Sequence, residues 1–190
     1  MTADRSSGGR ARVAPGSWRE VGPVVAAFAR IAGRVTGTEP PAVFLTLGRH
    51  RRLFWGWLHF AGRLMPGGRL ARREAELVIL RVASLLGSDY ELTQHRRLGR
   101  RAGLSATQVS AAEAGSGEDQ AGLSPREQLL LRAADELVEQ QDLSDALWAE
   151  LGRLLDEQER IELVVLVAHY AMLATVLKAF RVQPDKPVGS

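Results

Sequence analysis

The 190-residue sequence predicts an all-α domain. No run shows the period-2 alternation of a strand, and apolar residues fall instead into helix-length periodic segments. Clusters of Gly, Pro and Ser lie between those segments rather than inside them. The length suits one compact domain with its own core. Hydrophobic residues at 45% and charged residues at 25% are a globular balance.

In order along the chain, residues 1–16 are small, polar and basic and read as a disordered tail. The domain then runs over 17–183, with helices predicted at 17–35, 41–49, 51–64, 70–86, 89–102, 106–114, 125–140, 144–155 and 157–180. The first apolar candidate is interrupted by Pro23, Arg30, Gly33 and Arg34. The helix at 51–64 carries the aromatic run Leu53-Phe54-Trp55-Gly56-Trp57-Leu58-His59-Phe60, which suits a core or a subunit interface. Within it, Trp57 and Phe60 could wall an apolar pocket for a ring-bearing ligand. Gly103-Leu104 reads as a helix stop, and 115–122 as a flexible surface loop. Ser124-Pro125-Arg126-Glu127 combines a cap, a proline at the first helical position and a glutamate that reaches back. Ser105 with Gln108, and Asp156 with Glu159, repeat the device. The longest apolar run, 163–177, reads as a buried helix, and the tail from 184 to 190 as loose.

Several function classes fall away at once. With no cysteine there is no disulfide scaffold, no thiolate–zinc site and no thiol redox cycle. The N-terminus lacks the apolar stretch of a signal peptide. No segment reaches the roughly 18 uninterrupted apolar residues of a membrane span, so a cytoplasmic protein without membrane partners is expected. The net charge is +3, and all but two of the 25 basic residues are arginine. That bias is what a high-GC bacterial genome produces. Arg96, Arg97, Arg100 and Arg101 cluster, but acidic residues surround them, so they read as a solvated or subunit-facing edge rather than a nucleic-acid surface.

Chemistry concentrates between Glu76 and His95. Ser88 and Glu91 have the spacing of a capping box after a stop at Gly87. The same helix N-terminus offers free amides and positive potential to an anionic substrate. His95 lies one turn beyond Glu91 on the same face. Glu76, on the preceding helix, falls near the apolar stripe, where Arg73 or Arg81 could pair with it, whereas Glu74 sits at the wetter end. Two carboxylates near an imidazole can set its tautomer and tune its pKa for proton transfer. Tyr90 could supply a phenolic donor. His50, His59 and His169 lie on other helices without ligand-like spacing, so no metal site is expected. His169-Tyr170 reads as structural. Glu76-Leu77-Val78-Ile79-Leu80 echoes Glu162-Leu163-Val164-Val165-Leu166, as a duplicated helical unit would.

The order Glu76, Ser88, Glu91, His95 resembles the carboxymuconolactone decarboxylase/alkylhydroperoxidase D superfamily. In its redox members the two cysteines would fall on Ser88 and Glu91, and the relay Glu and His on Glu76 and His95. Gly87-Ser88-Asp89-Tyr90-Glu91 with Gln94-His95 and then Gly103-Leu104-Ser105 is similar to the cysteine-free decarboxylase-like branch, in which tryptophan commonly follows the position of Glu91; Leu92 departs from it. The resemblance spans 51–105, and more loosely 159–182. It implies an AhpD-like helical bundle and a homo-oligomer, a trimer or a hexamer, with sites near subunit contacts. A peroxiredoxin-type label often travels with the superfamily, but serine and glutamate cannot run a dithiol–disulfide cycle. The expectation is therefore a cofactor-independent acid–base enzyme, of decarboxylase or lyase type, acting on a small cyclic carboxylate or lactone. Glu76, Glu91 and His95 would be catalytic, with Ser88, Tyr90, Trp57 and Phe60 binding substrate. The alternative is a non-catalytic helical oligomer that binds a small ligand or partner.

Overall fold

Helix termini set the architecture. The computed structural model describes residues 10–115 and 122–187. Among these the regular secondary structure is α-helix, apart from one isolated bridge between Thr38 and Pro187. The helices are α1 (Trp18–Val21), α2 (Pro23–Thr36), α3 (Ala42–Leu47), α4 (Arg51–Leu64), α5 (Arg72–Leu85), α6 (Asp89–Arg101), α7 (Ala106–Ala114), α8 (Pro125–Gln140), α9 (Asp145–Leu154) and α10 (Glu157–Phe180). The helix predicted at 17–35 is therefore two. Gly22 takes a φ of 86°, open to a residue without Cβ, and Pro23 restarts the chain at the first helical position.

Three capping boxes stand as the sequence predicts. Ser105 and Gln108 cap α7, Ser124 and Glu127 cap α8, and Asp156 and Glu159 exchange amide hydrogen bonds at the start of α10. Of the loop predicted at 115–122, positions 116–121 lie outside the described residues.

Two compact units separate by their internal contacts. One comprises the chain up to Gly56 together with the segment from Thr175 onward. Phe28, Phe44, Phe54 and Trp55 form an edge-to-face aromatic cluster there, with centroids 5.1 to 6.4 Å apart. The ends predicted to be loose are tied in within this unit. Arg12 donates its amide to Phe180 O at 2.9 Å, and Gly16 to Leu45 O at 3.0 Å. Buried Asp185 accepts the Ala42 amide at 2.8 Å, since a buried carboxylate must find a donor. Positions 1–9 and 188–190 of the predicted tails lie outside the described residues.

The other unit, Trp57–Ala174, is organised by α5, which packs against α6, α7 and α8. From Ala75 to Leu80, and again at Val82 and Ala83, every residue of α5 is buried, as befits a helix surrounded by others. Leu77 and Leu80 join Leu104, Val109, Ala112, Leu123 and Leu131 in its core. Glu74 is not the solvent residue predicted: Arg126 grips it at 2.7 Å and also holds Glu159. Arg73 pairs with Glu127, and Arg81 with Asp135. Glu162, the echo of Glu76, likewise lies near the start of its helix, but its carboxylate accepts the amides of Arg69 and Leu70 ahead of α5.

By length and composition α10 could cross a membrane, a test that the core helix of a folded domain also passes. Leu163, Leu166, Val167, Leu173 and Ala174 bury one side of it, while Ile161 and Met172 are exposed.

Candidate active site

The site begins where α5 ends. Ser88 donates its amide to Ala83 O at 2.8 Å and Gly87 donates to Ser84 O at 3.0 Å, with Gly87 at a φ of 58°. This is a Schellman turn, and it requires the left-handed glycine. It also fixes the backbone of Ser88 at a ψ of 88°, whereas the capping serines 105, 124 and 144 sit between 146° and 165°. Ser88 thus ends one helix and cannot present its hydroxyl to the next. The predicted capping box at Ser88 and Glu91 does not form.

Released from capping, Glu91 turns inward. It is 1% exposed, and neither carboxyl oxygen makes a hydrogen bond; the buried Ser88 hydroxyl makes none either. Burial pushes the Glu91 carboxyl up to about 7, against the opposing pull of the nearby Ser88 hydroxyl and of His95. A carboxyl in that range exchanges protons at neutral pH.

Glu76, 0% exposed, is held at both oxygens. Arg72, one turn earlier on α5, donates from Nε at 2.8 Å and from its terminal nitrogen at 2.7 Å to Oε1. His95 Nδ1 lies 2.7 Å from Oε2. The partner is therefore Arg72, not the Arg73 or Arg81 that the sequence suggested. A carboxylate only accepts, so in a bond between the two Nδ1 is the donor, and the neutral tautomer that makes this bond has its lone pair on Nε2. This is the carboxylate–imidazole arrangement that fixes a tautomer and orients a base. Gly99 lies where α6 meets α5: a Cβ on it would be in ordinary contact with Glu76 Cβ at 3.7 Å and would crowd Leu104 Cδ1 at 2.9 Å.

Two residues of α10 that the sequence marked as structural stand beside this pair. The Tyr170 ring meets His95 edge-on at 5.2 Å and meets His169 edge-on at the same distance. Burial, with the charges of Glu76 and Glu91, pushes the Tyr170 phenol up, so it remains protonated. His169 stacks against Trp57 at 6.3 Å and receives Phe60 edge-on at 5.4 Å. Trp57 and Phe60 thus lie against His169, which meets Tyr170, which meets His95. Tyr90 is buried at the start of α6. Among the described residues, no group of three or more His, Asp or Glu is placed to hold a metal ion. Arg72 was legible as the residue four before Glu76; the neighbours on α10 had no local signal.

The region 51–136 matches the model of the Carboxymuconolactone decarboxylase family, and it contains Glu76, Ser88, Glu91 and His95. An uncharacterized peroxidase-related protein from Silicibacter sp. TM1040 shares the fold with a TM-score of 0.80 at 15% identity, over 97% of this chain and 95% of that one. A second such protein, from Ralstonia eutropha JMP134 and described as an alkylhydroperoxidase AhpD core, gives 0.78 at 15% identity over 90% and 92%. The debrominase Bmp8 in complex with 2,3,4-tribromopyrrole gives 0.75 at 18% identity over 92% and 91%. No curated protein matches the sequence. At these identities the solved structures establish an AhpD-like fold and nothing about the reaction.

Proposed function

We propose that this chain, whose residues 51–136 belong to the carboxymuconolactone decarboxylase family, is a cofactor-independent acid–base enzyme acting on a small cyclic carboxylate or lactone. One observation carries the reading. A buried Glu76 of α5 pairs at 2.7 Å with His95 of α6, and one turn before His95 on α6 stands a buried carboxyl, Glu91, whose proton is labile near neutral pH. Two titratable groups in unlike environments divide the roles of acid and base.

His95 Nε2 is the base, steered by Glu76, which Arg72 holds in place. Glu91 in its protonated form is the acid. For decarboxylation of an unsaturated lactone acid, the bond from ring carbon to carboxylate breaks and CO2 leaves. Its electron pair is delocalised through the adjoining double bond, and carbon then takes the proton of Glu91. His95 Nε2 takes a proton from solvent and passes it to Glu91, which closes the cycle without a redox partner. Ser88, Tyr90, Trp57 and Phe60 complete the binding surface. The enzyme works as a cytoplasmic homo-oligomer, a trimer or a hexamer, with the small molecule as its partner. Thiol peroxidase chemistry is closed to a chain without cysteine.

The test is a panel of cyclic carboxylates and lactones in D2O, followed by mass spectrometry for loss of CO2 and for deuterium at carbon. Turnover should fall by roughly 10²–10⁴-fold in His95→Ala and in Glu91→Gln. Equal turnover in both variants and the parent would end the proposal. The rival, a helical oligomer that only binds ligand, predicts saturation without product.

A further inference from the structure

We infer that His169, stacked on Trp57 and edged by Phe60, is the recognition imidazole of a site for a flat ring bearing an uncharged hydrogen-bonding group, adjoining the His95 pair. The inference deepens the acid–base reading and rests on it for the neighbourhood, by naming what the ligand must look like.

Three observations converge. His169 is 5% exposed, yet its Nδ1 has no hydrogen-bond partner. A buried nitrogen left unpaired is costly, and histidines placed for packing alone normally find a backbone or side-chain partner. Secondly, the ring is framed by aromatic faces: Trp57 lies nearly parallel to it, at 20°, and Phe60 meets it at 65°. Aromatic walls with a single convergent polar atom are how proteins orient planar ligands. Thirdly, the series is continuous, and its outer member is exposed while the rest are buried. Phe60, 44% exposed, touches His169, which touches Tyr170, which touches His95. A ring entering past Phe60 would arrive with its far edge toward the proton-transfer pair.

The charge of the ligand's polar group follows from the same surroundings. Burial holds His169 down to about 4, so near neutral pH it is an uncharged imidazole. It offers a hydrogen bond and no cation, and so favours a hydroxyl, ring N–H or carbonyl over a carboxylate at this end. The carboxylate of a substrate would then lie at the opposite end of the ring.

Phenol serves as the probe, with toluene (flat, no hydrogen bond) and cyclohexanol (hydroxyl, not flat) as controls, each titrated into the full-length protein. The readout is the imidazole ¹⁵N resonances of His169. Phenol should shift them to saturation and bind more tightly than either control. His169→Phe keeps the stacked ring and removes Nδ1; phenol should weaken by roughly 2- to 10-fold with toluene unchanged. His169→Asn, which restores a short polar group, should recover part of the phenol preference and covers the case in which the Phe variant folds poorly. Unmoved His169 resonances at saturating phenol, or an undiminished phenol preference in His169→Phe, would overturn the inference and leave a neutral core histidine bonded to water. Binding is read without turnover. Failure here therefore leaves the roles of Glu91 and His95 standing, and a protein that binds phenol this way but turns nothing over loses only those roles.

Discussion

At Glu91 the role of a side chain is decided by the backbone three residues earlier. The spacing of Ser88 and Glu91 satisfies the capping-box rule, and the rule fails because the Ser88 amide is already committed to closing α5. Sequence shows the residue types but not which helix claims the amide. Two results follow from that geometry. Ser88→Ala should not cost the ~1 kcal/mol of a lost cap, because the hydroxyl it removes makes no capping hydrogen bond to α6. It should also raise the Glu91 pKa further, since the Ser88 hydroxyl pulls that value down. Turnover that depends on protonated Glu91 should decline as pH rises through about 7, and Ser88→Ala should move that limb upward. A pH–rate profile of the two proteins checks both the limb and its displacement.

Among the elements, helix starts and stops were largely legible because capping chemistry is local. Ser124 and Glu127 bond one another's amides at 3.2 and 2.8 Å, as their sequence spacing requires. Ser124→Ala should therefore lower stability by about 1 kcal/mol, in contrast to Ser88→Ala, and calorimetry on the pair separates a working cap from an apparent one. The break at Gly22–Pro23 was also written in the sequence, yet periodicity on both sides disguised it as one helix. The approach of α5 to α6 was not legible. A Cβ added at Gly99, inside α6, would crowd Leu104 Cδ1 at 2.9 Å but meet Glu76 Cβ at an ordinary 3.7 Å.

For the whole molecule, stability against pH combines two buried groups of opposite sign. Glu91 is raised from an ordinary 4.5 to about 7. Between those values the folded state holds more protons than the unfolded chain, so this group makes stability fall as pH rises. His169 is lowered from 6.5 to about 4, the unfolded chain holds the extra proton, and stability rises with pH over that window. The two offset one another through the shared range in the parent. Glu91→Gln should expose the His169 slope, with stability climbing from pH 4 to 6.5. His169→Phe should expose the Glu91 slope, with stability declining from pH 4.5 to 7. Denaturant unfolding across that range reads both. The all-α fold and the Glu76–His95 pairing could be anticipated because they depend on periodicity and on a short stretch of chain. His169 and Tyr170 could not, because only the return of α10 brings them beside α6.

The central claim is that Glu91 is an acid poised near neutrality beside a Glu76-oriented His95. Titrating the Glu91 side-chain carboxyl by ¹³C NMR, assigned by its disappearance in Glu91→Gln, tests it most directly. A midpoint near 7 is the predicted result; a midpoint near the ordinary 4.5 would contradict it.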